Sequence, residues 1–180
     1  VAVPNERGGS IDVDVGFQVF NTVNYPKLTA LFEDLGVPHV ESDMSLSLGT
    51  GGDCWSSKRP FAGCLDDGWA SWKTAAKVVR RLRLLLEVLR FERLAKEVAA
   101  AGPSGTDAKT PVGAWLRARG FSERLGADFV RPMVGAIWSR CATGDVLEDF
   151  PVHGVATFLD NHFMLDRARP RWRTPAKRSA

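Results

Sequence analysis

Residues 69–101 read WASWKTAAKVVRRLRLLLEVLRFERLAKEVAAA, and the fold turns on how this stretch is understood. Trp72, Ala75, Val79, Leu82, Leu86 and Leu89 recur at helical spacing, and Leu85, Val88 and Leu94 make a second apolar stripe. Asp66-Asp67-Gly68 before the stretch and Gly102-Pro103 after it are the start and stop residues a helix needs. The spacing therefore predicts the longest helix of the chain, from roughly Trp69 to Ala101. Between Lys73 and Glu97 it carries eight basic residues against three acids. Such a stripe is ordinarily a solvated helix face, and in some proteins it meets a partner or anionic lipid.

Downstream the signals stay helical. Residues 102–109 form a polar loop, Thr110-Pro111 opens a short helix ending at Gly120, and Ser122 caps the next. That helix carries Pro132 and should kink there. Phe150-Pro151 starts another, running to about His162. After Arg167 there is no periodic pattern, and six basic residues lie between Arg167 and Arg178.

Upstream the period changes to two. Ile11 to Val19 alternates apolar and polar, the mark of a half-buried strand. Asn5 to Gly9 reads as a turn, so Val1–Val3 and Ile11–Phe20 are expected to pair as a hairpin. Asn24 caps a short helix with Pro26 in its first turn and Gly36 as its stop, and Leu28, Leu31, Phe32 and Leu35 share one face. Ser42 to Leu48 is a second alternating run, broken by the glycines of 49–52. The expected fold is α+β and mainly helical: a small β-portion (hairpin plus one strand) followed by about five helices. Its expected divisions are a β-rich portion at 1–48, a loop at 49–68, a helical subdomain at 69–166 and a basic irregular tail at 167–180.

At 180 residues with 44% hydrophobic content, the chain can bury a core of its own. No run reaches the roughly 18 apolar residues of a membrane span, so no transmembrane segment is expected. Cys54, Cys64 and Cys141 are too few and too irregular for a disulfide framework or a zinc site. Reduced, partly buried thiols in a soluble intracellular protein are the expectation. His39, His153 and His162 lie far apart, without a second ligand at metal spacing. No serine sits in a G-x-S-x-G elbow, and Gly49-Thr50-Gly51-Gly52 lacks the lysine and helix of a phosphate loop. Composition and motif chemistry alone end at a mainly helical domain with no metal and no acid–base pair.

An ordered series of segments goes further. Val13-Asp14-Val15-Gly16-Phe17-Gln18-Val19-Phe20-Asn21 is followed by Tyr25-Pro26-Lys27-Leu28 and Leu31-Phe32-Glu33-Asp34-Leu35-Gly36-Val37, then by Ser42-Asp43-Met44-Ser45-Leu46-Ser47. Phe129-Val130-Arg131-Pro132-Met133-Val134-Gly135-Ala136-Ile137-Trp138-Ser139 comes next. Asp149-Phe150-Pro151, Asn161-His162 and Arg169-Pro170-Arg171-Trp172-Arg173-Thr174 complete the series. Together they resemble a group of predicted FAD-binding proteins in the flavin-containing amine oxidoreductase superfamily. The resemblance spans nearly the whole chain and is weakest over 49–120.

It implies a flavin-side strand and a helical substrate-side layer. Gly16 and Phe17, with Val15 and Gln18 beside them, would lie near FAD, glycine letting backbone come close to a cofactor. Met133, Ile137 and Trp138 would form an apolar wall of a substrate pocket, and Trp172, the fourth residue of that pocket, would lie near the strand returning to the flavin domain. Read from the residues alone, Gly16 can also be a strand bulge, and Met133, Ile137 and Trp138 are equally a core-packed helix face. The implied reaction is hydride removal from an amine or lipid-like small molecule. The group's frequent link with lipid-modifying methyltransferases implies association with one.

Two departures shape that expectation. No G-x-G-x-x-G loop and downstream ribose-binding acid occur here. The family's Gly-Gly-Ser turn after the W-R-T segment is replaced by Pro175-Ala176-Lys177-Arg178-Ser179-Ala180. The expectation is an internal fragment of an FAD-dependent oxidoreductase, inactive and flavin-free by itself. The alternative is a non-enzymatic helical module that binds a partner or anionic membrane through its basic helix. Nucleic-acid binding has no recognition motif to support it and is not expected.

Overall fold

A computed structural model describes residues 2–4, 8–12, 19–42, 45, 47–50, 53–56, 58–61, 64, 71–140, 146–165 and 172–176. The fold is mainly helical α+β, and the chain divides into two compact units, 1–44 with 168–180, and 45–167.

In the first unit, β1 (Ala2–Pro4) and β2 (Ser10–Asp12) pair antiparallel with Val3 opposite Ile11. The hairpin expected there is present at these positions, and residues 13–18 of its expected second strand lie outside the described residues. A second sheet has the order β3 (Phe20–Asn21), β7 (Trp172–Pro175), β4 (His39–Glu41), all antiparallel. A segment read as irregular tail is thus the central strand of that sheet. The cause is length: strands of two to four residues are too short for alternation to register.

Between β3 and β4 lies α1 (Pro26–Asp34). Pro26 occupies its first turn, where a missing N–H costs nothing. Its end is a Schellman motif: Gly36 N–H donates to Glu33 O and Val37 N–H to Phe32 O, with Gly36 at φ 60°. The start differs from expectation, since Tyr25 is the capping position and makes no side-chain cap. Asn21 acts instead, its Oδ1 accepting from the N–H groups of Val23 and Asn24. Phe20 is wholly buried, edge-on to Phe32 at 5.2 Å and to His39 at 5.5 Å.

The second unit opens with a hairpin of β5 (Ser47–Thr50) and β6 (Asp53–Ser56). The glycine break expected from residue 49 is therefore still strand at 49–50, and the loop expected over 49–68 contains β6. α2 (Trp72–Ala101) follows, later than expected because Ser71 takes the cap, its Oγ accepting from Lys73 N–H at 3.2 Å. α3 (Val112–Ala118) ends in a second Schellman motif at Gly120, φ 69°. Ser122 caps α4 (Glu123–Leu125) as its residue type suggests, accepting from Leu125 N–H.

A wide π-turn over Gly126–Val130 leads into α5 (Arg131–Ile137), where Pro132 sits in the first turn. In place of the kink expected within one helix, the structure has a π-turn and then a new helix with Pro132 near its start. Proline lacks an N–H and crowds the carbonyl four residues back, and one extra residue per turn relieves both. α6 (Val146–Asp149) and α7 (Val152–Asn161) complete the unit. α3 and α7 are tied at their starts: Val112 N–H donates to Phe150 O and Val152 N–H to Thr110 O. Each bond satisfies a donor that its own helix leaves open.

The core lies between α2, α7 and the α3–α5 segment. Phe91 is its centre, with Trp115, Phe121 and Phe129 set edge-on at 6.1, 6.4 and 6.1 Å. Edge-to-face pairs at this separation add to the area they bury. From α7 it takes Val152, Val155, Ala156 and Leu159.

Candidate functional site

The end of α5 carries three of the four residues expected to line a substrate pocket. Met133 is 5% exposed and belongs to the core. Ile137 and Trp138 are half-buried and packed against that core. Trp138 meets Phe150 at 5.0 Å and Phe158 at 5.1 Å, and Phe158 stacks on His162 at 4.0 Å. The chain turns sharply after Trp138, with Ser139 at φ 51° and Arg140 N–H donating to Gly135 O. Arg140 pairs with Asp149, holding this turn to α6.

The result is a half-buried group of four rings. Its chemistry is that of an apolar wall with one polar edge. His162 Nδ1 lies 2.8 Å from Phe158 O, so with its proton on Nδ1 it donates there. His153 lies near Thr157 Oγ1 at 3.3 Å. The first holds the ring to its own helix, and in the second the hydroxyl and imidazole stand one turn apart on α7 with no carboxylate among the described residues orienting the ring. Among the described residues no group of His, Cys, Asp and Glu could hold a metal ion.

Val15, Gly16, Phe17 and Gln18, expected beside the flavin, lie outside the described residues. Trp172, the fourth expected pocket residue, is buried in β7 of the first unit, whereas Met133, Ile137 and Trp138 belong to the second. The nearest described residues to the 15–18 segment are Val19, Phe20 and Asn21. Asn21 Nδ2 is buried without a hydrogen-bond partner. An unsatisfied buried amide invites a ligand. Asn21 is 0% exposed, however, and its side-chain oxygen is committed to the turn before α1. A bound ring could not touch it without opening the sheet.

A feature that the sequence marked only as a stripe lies along α2. An open groove of about 800 Å³ has Ala75, Ala76, Val79 and Leu86 on its apolar side and Arg80 and Arg83 on its charged side. Ser122 and Arg124 stand across it. Glu87 also lines it, with Ser122 donating to both its oxygens, from N–H to Oε1 at 2.8 Å and from Oγ to Oε2 at 2.5 Å. A smaller pocket of about 180 Å³ near the end of α2 includes Asp107, Trp115 and Arg119. Asp107 there already accepts from Trp115 Nε1 at 3.2 Å and pairs with Arg119.

The basic residues of α2 divide. Lys73, Arg80, Arg83, Arg90, Arg93 and Lys96 are exposed, as a solvated face requires, and Arg81 is buried. Among the described residues no helix is long and apolar enough to cross a membrane. No protein-family model matches the chain, and no curated protein matches it.

Proposed function

We propose that this chain belongs to an FAD-dependent oxidoreductase of the amine-oxidase type, which removes a hydride from an amine or lipid-like small molecule. The chain's share is the helical substrate-side unit and a strand segment beside the flavin. The order of motifs in the sequence supports the assignment. One structural observation adds to it: β7, carrying Trp172, pairs between β3 and β4, so the helical unit is inserted between segments of one small sheet. A substrate-side layer interrupting a cofactor-side sheet has this connectivity.

The residues present do not fit the dinucleotide on their own. The 180 residues contain no G-x-G-x-x-G, so the backbone N–H cradle that holds a pyrophosphate is missing. No oxidation step is therefore assigned to this chain. What its residues supply is the aromatic wall of Trp138, Phe150 and Phe158, which packs an apolar molecule and excludes water.

The test compares two proteins. The 180-residue chain purified with added FAD should be colourless. The chain extended in frame by the coding sequence flanking it should retain flavin stoichiometrically, and Gly16→Val should abolish that retention. An extended protein that stays colourless overturns the proposal. Association with a lipid-modifying methyltransferase remains part of the proposal, and co-purification from the native host is its measurement.

A further inference from the structure

We infer that the exposed stripe of α2 receives an acidic amphipathic helix from a partner protein. Trp72, Val79, Leu82, Leu86 and Leu89 are exposed by 76, 47, 46, 67 and 49%. Single exposed hydrophobics are common on protein surfaces, whereas five in line on one helix are a contiguous patch that marks an interaction site. The opposite side of α2 carries Leu84, Val88, Phe91 and Val98 into the core. The helix cannot roll to hide the stripe without emptying that core.

Three observations select the occupant. The first is spacing. With Ala75 included, the stripe steps by three, four, three, four and three residues. A repeat of 3.5 is the pattern by which one helix packs along another. From Trp72 to Leu89 it covers about 26 Å, enough for two to three heptads of a partner.

The second is shape. The groove beside the stripe is concave, and Ala75 and Ala76 keep its floor low. A helix laid into it fills the space, in the helix-in-groove mode of recognition. A planar bilayer would bridge it and leave it empty.

The third is charge. Arg80 and Arg83 line the groove, and Arg90 flanks the stripe. Arg90 is held in position, its Nη2 donating to Arg119 O at 2.6 Å and its guanidinium 4.7 Å above the Phe121 ring. Glu87 also lines the groove, hydrogen-bonded by Ser122, and is outnumbered there by Arg80, Arg83 and Arg124. The flanks of the seat are cationic, so acidic residues beside the partner's apolar stripe are matched. A second copy of this chain would bring the same arginines face to face, and like charges across a helix pair select against it.

This inference does not depend on the flavin assignment, because the seat lies wholly on residues of the helical unit. Its test uses the full chain and a synthetic peptide of about three heptads with leucine at the core positions and glutamate on both flanks. Such a peptide repels itself and is unfolded alone. Added to the chain, it should gain helicity by circular dichroism and bind with micromolar affinity. Leu86→Glu should weaken binding by about tenfold or more while leaving the thermal unfolding of the chain unchanged. Arg83→Glu should weaken it too, and a lysine-flanked version of the peptide should recover affinity for that variant. The inference is overturned by absence of binding or by equal affinity for Leu86→Glu. It is also overturned if the chain is a dimer that Leu86→Glu dissociates, or if it ignores the peptide and co-sediments with phosphatidylserine vesicles.

Discussion

The two long faces of α2 use the same kinds of residue and meet opposite fates. One runs through Thr74, Arg81, Leu84, Val88, Phe91, Ala95 and Val98 and is buried along its length. The other runs through Trp72, Val79, Leu82, Leu86 and Leu89 and is exposed. In the second half of the helix the arrangement is ordinary, apolar residues facing α7 and the aromatic group of Trp115, Phe121 and Phe129. In the first half it is inverted. Two of the three covered positions there are Thr74 and Arg81, with Leu84 the third, while Trp72, Val79, Leu82 and Leu86 face outward. An apolar stripe thus shows that a helix has a partner. The neighbouring elements decide whether the partner lies within the chain.

The comparison breaks most easily at Phe91. Replacing it with alanine removes the ring on which three other aromatics converge and should cost about 3–5 kcal/mol in chemical denaturation. Leu86→Ala on the same helix should change stability by less than about 0.5 kcal/mol. Equal losses would mean that the stripe is packed against something within the chain. The adjacent pair Val88 and Leu89 sharpens the contrast to a single residue step. Val88→Ala should cost about 2 kcal/mol from lost methyl burial and the space left behind, whereas Leu89→Ala should be close to neutral. A smaller loss than at either buried position is expected at the boundary between the faces, where Glu87 is bound by Ser122. Ser122→Ala removes the cap of α4 and one donor to Glu87, and should cost about 1 kcal/mol by the same measurement.

Much of the architecture was legible because single residues dictated it. Gly36 and Gly120 stop their helices since both adopt positive φ, where a side chain is strained. Ser122 and Pro132 act where their chemistry places them. The sheet of the first unit was not legible, because Phe20–Asn21, His39–Glu41 and Trp172–Pro175 pair across distant parts of the chain and each is too short to show a period. Part of the candidate site was visible as composition: Met133, Ile137 and Trp138 form a helix face, and the structure puts the first in the core and the other two at its edge. Their ring partners Phe150, Phe158 and His162 come from segments that local pattern cannot join to α5. The groove on α2 was hidden for the same reason, since Ser122 and Arg124 stand across it from a helix that ends many residues earlier.

By itself the sequence determined most of the helical segments (α6 excepted), where most of them stop, and that α2 carries two apolar stripes along a basic helix. Those properties follow from backbone preferences and spacing within a few residues. Only the tertiary structure decided that the tail supplies the middle strand of a sheet, that Arg81 is covered, and that the stripe from Trp72 to Leu89 faces outward. Burial depends on what distant segments bring alongside a surface, and no window of neighbouring residues contains that information.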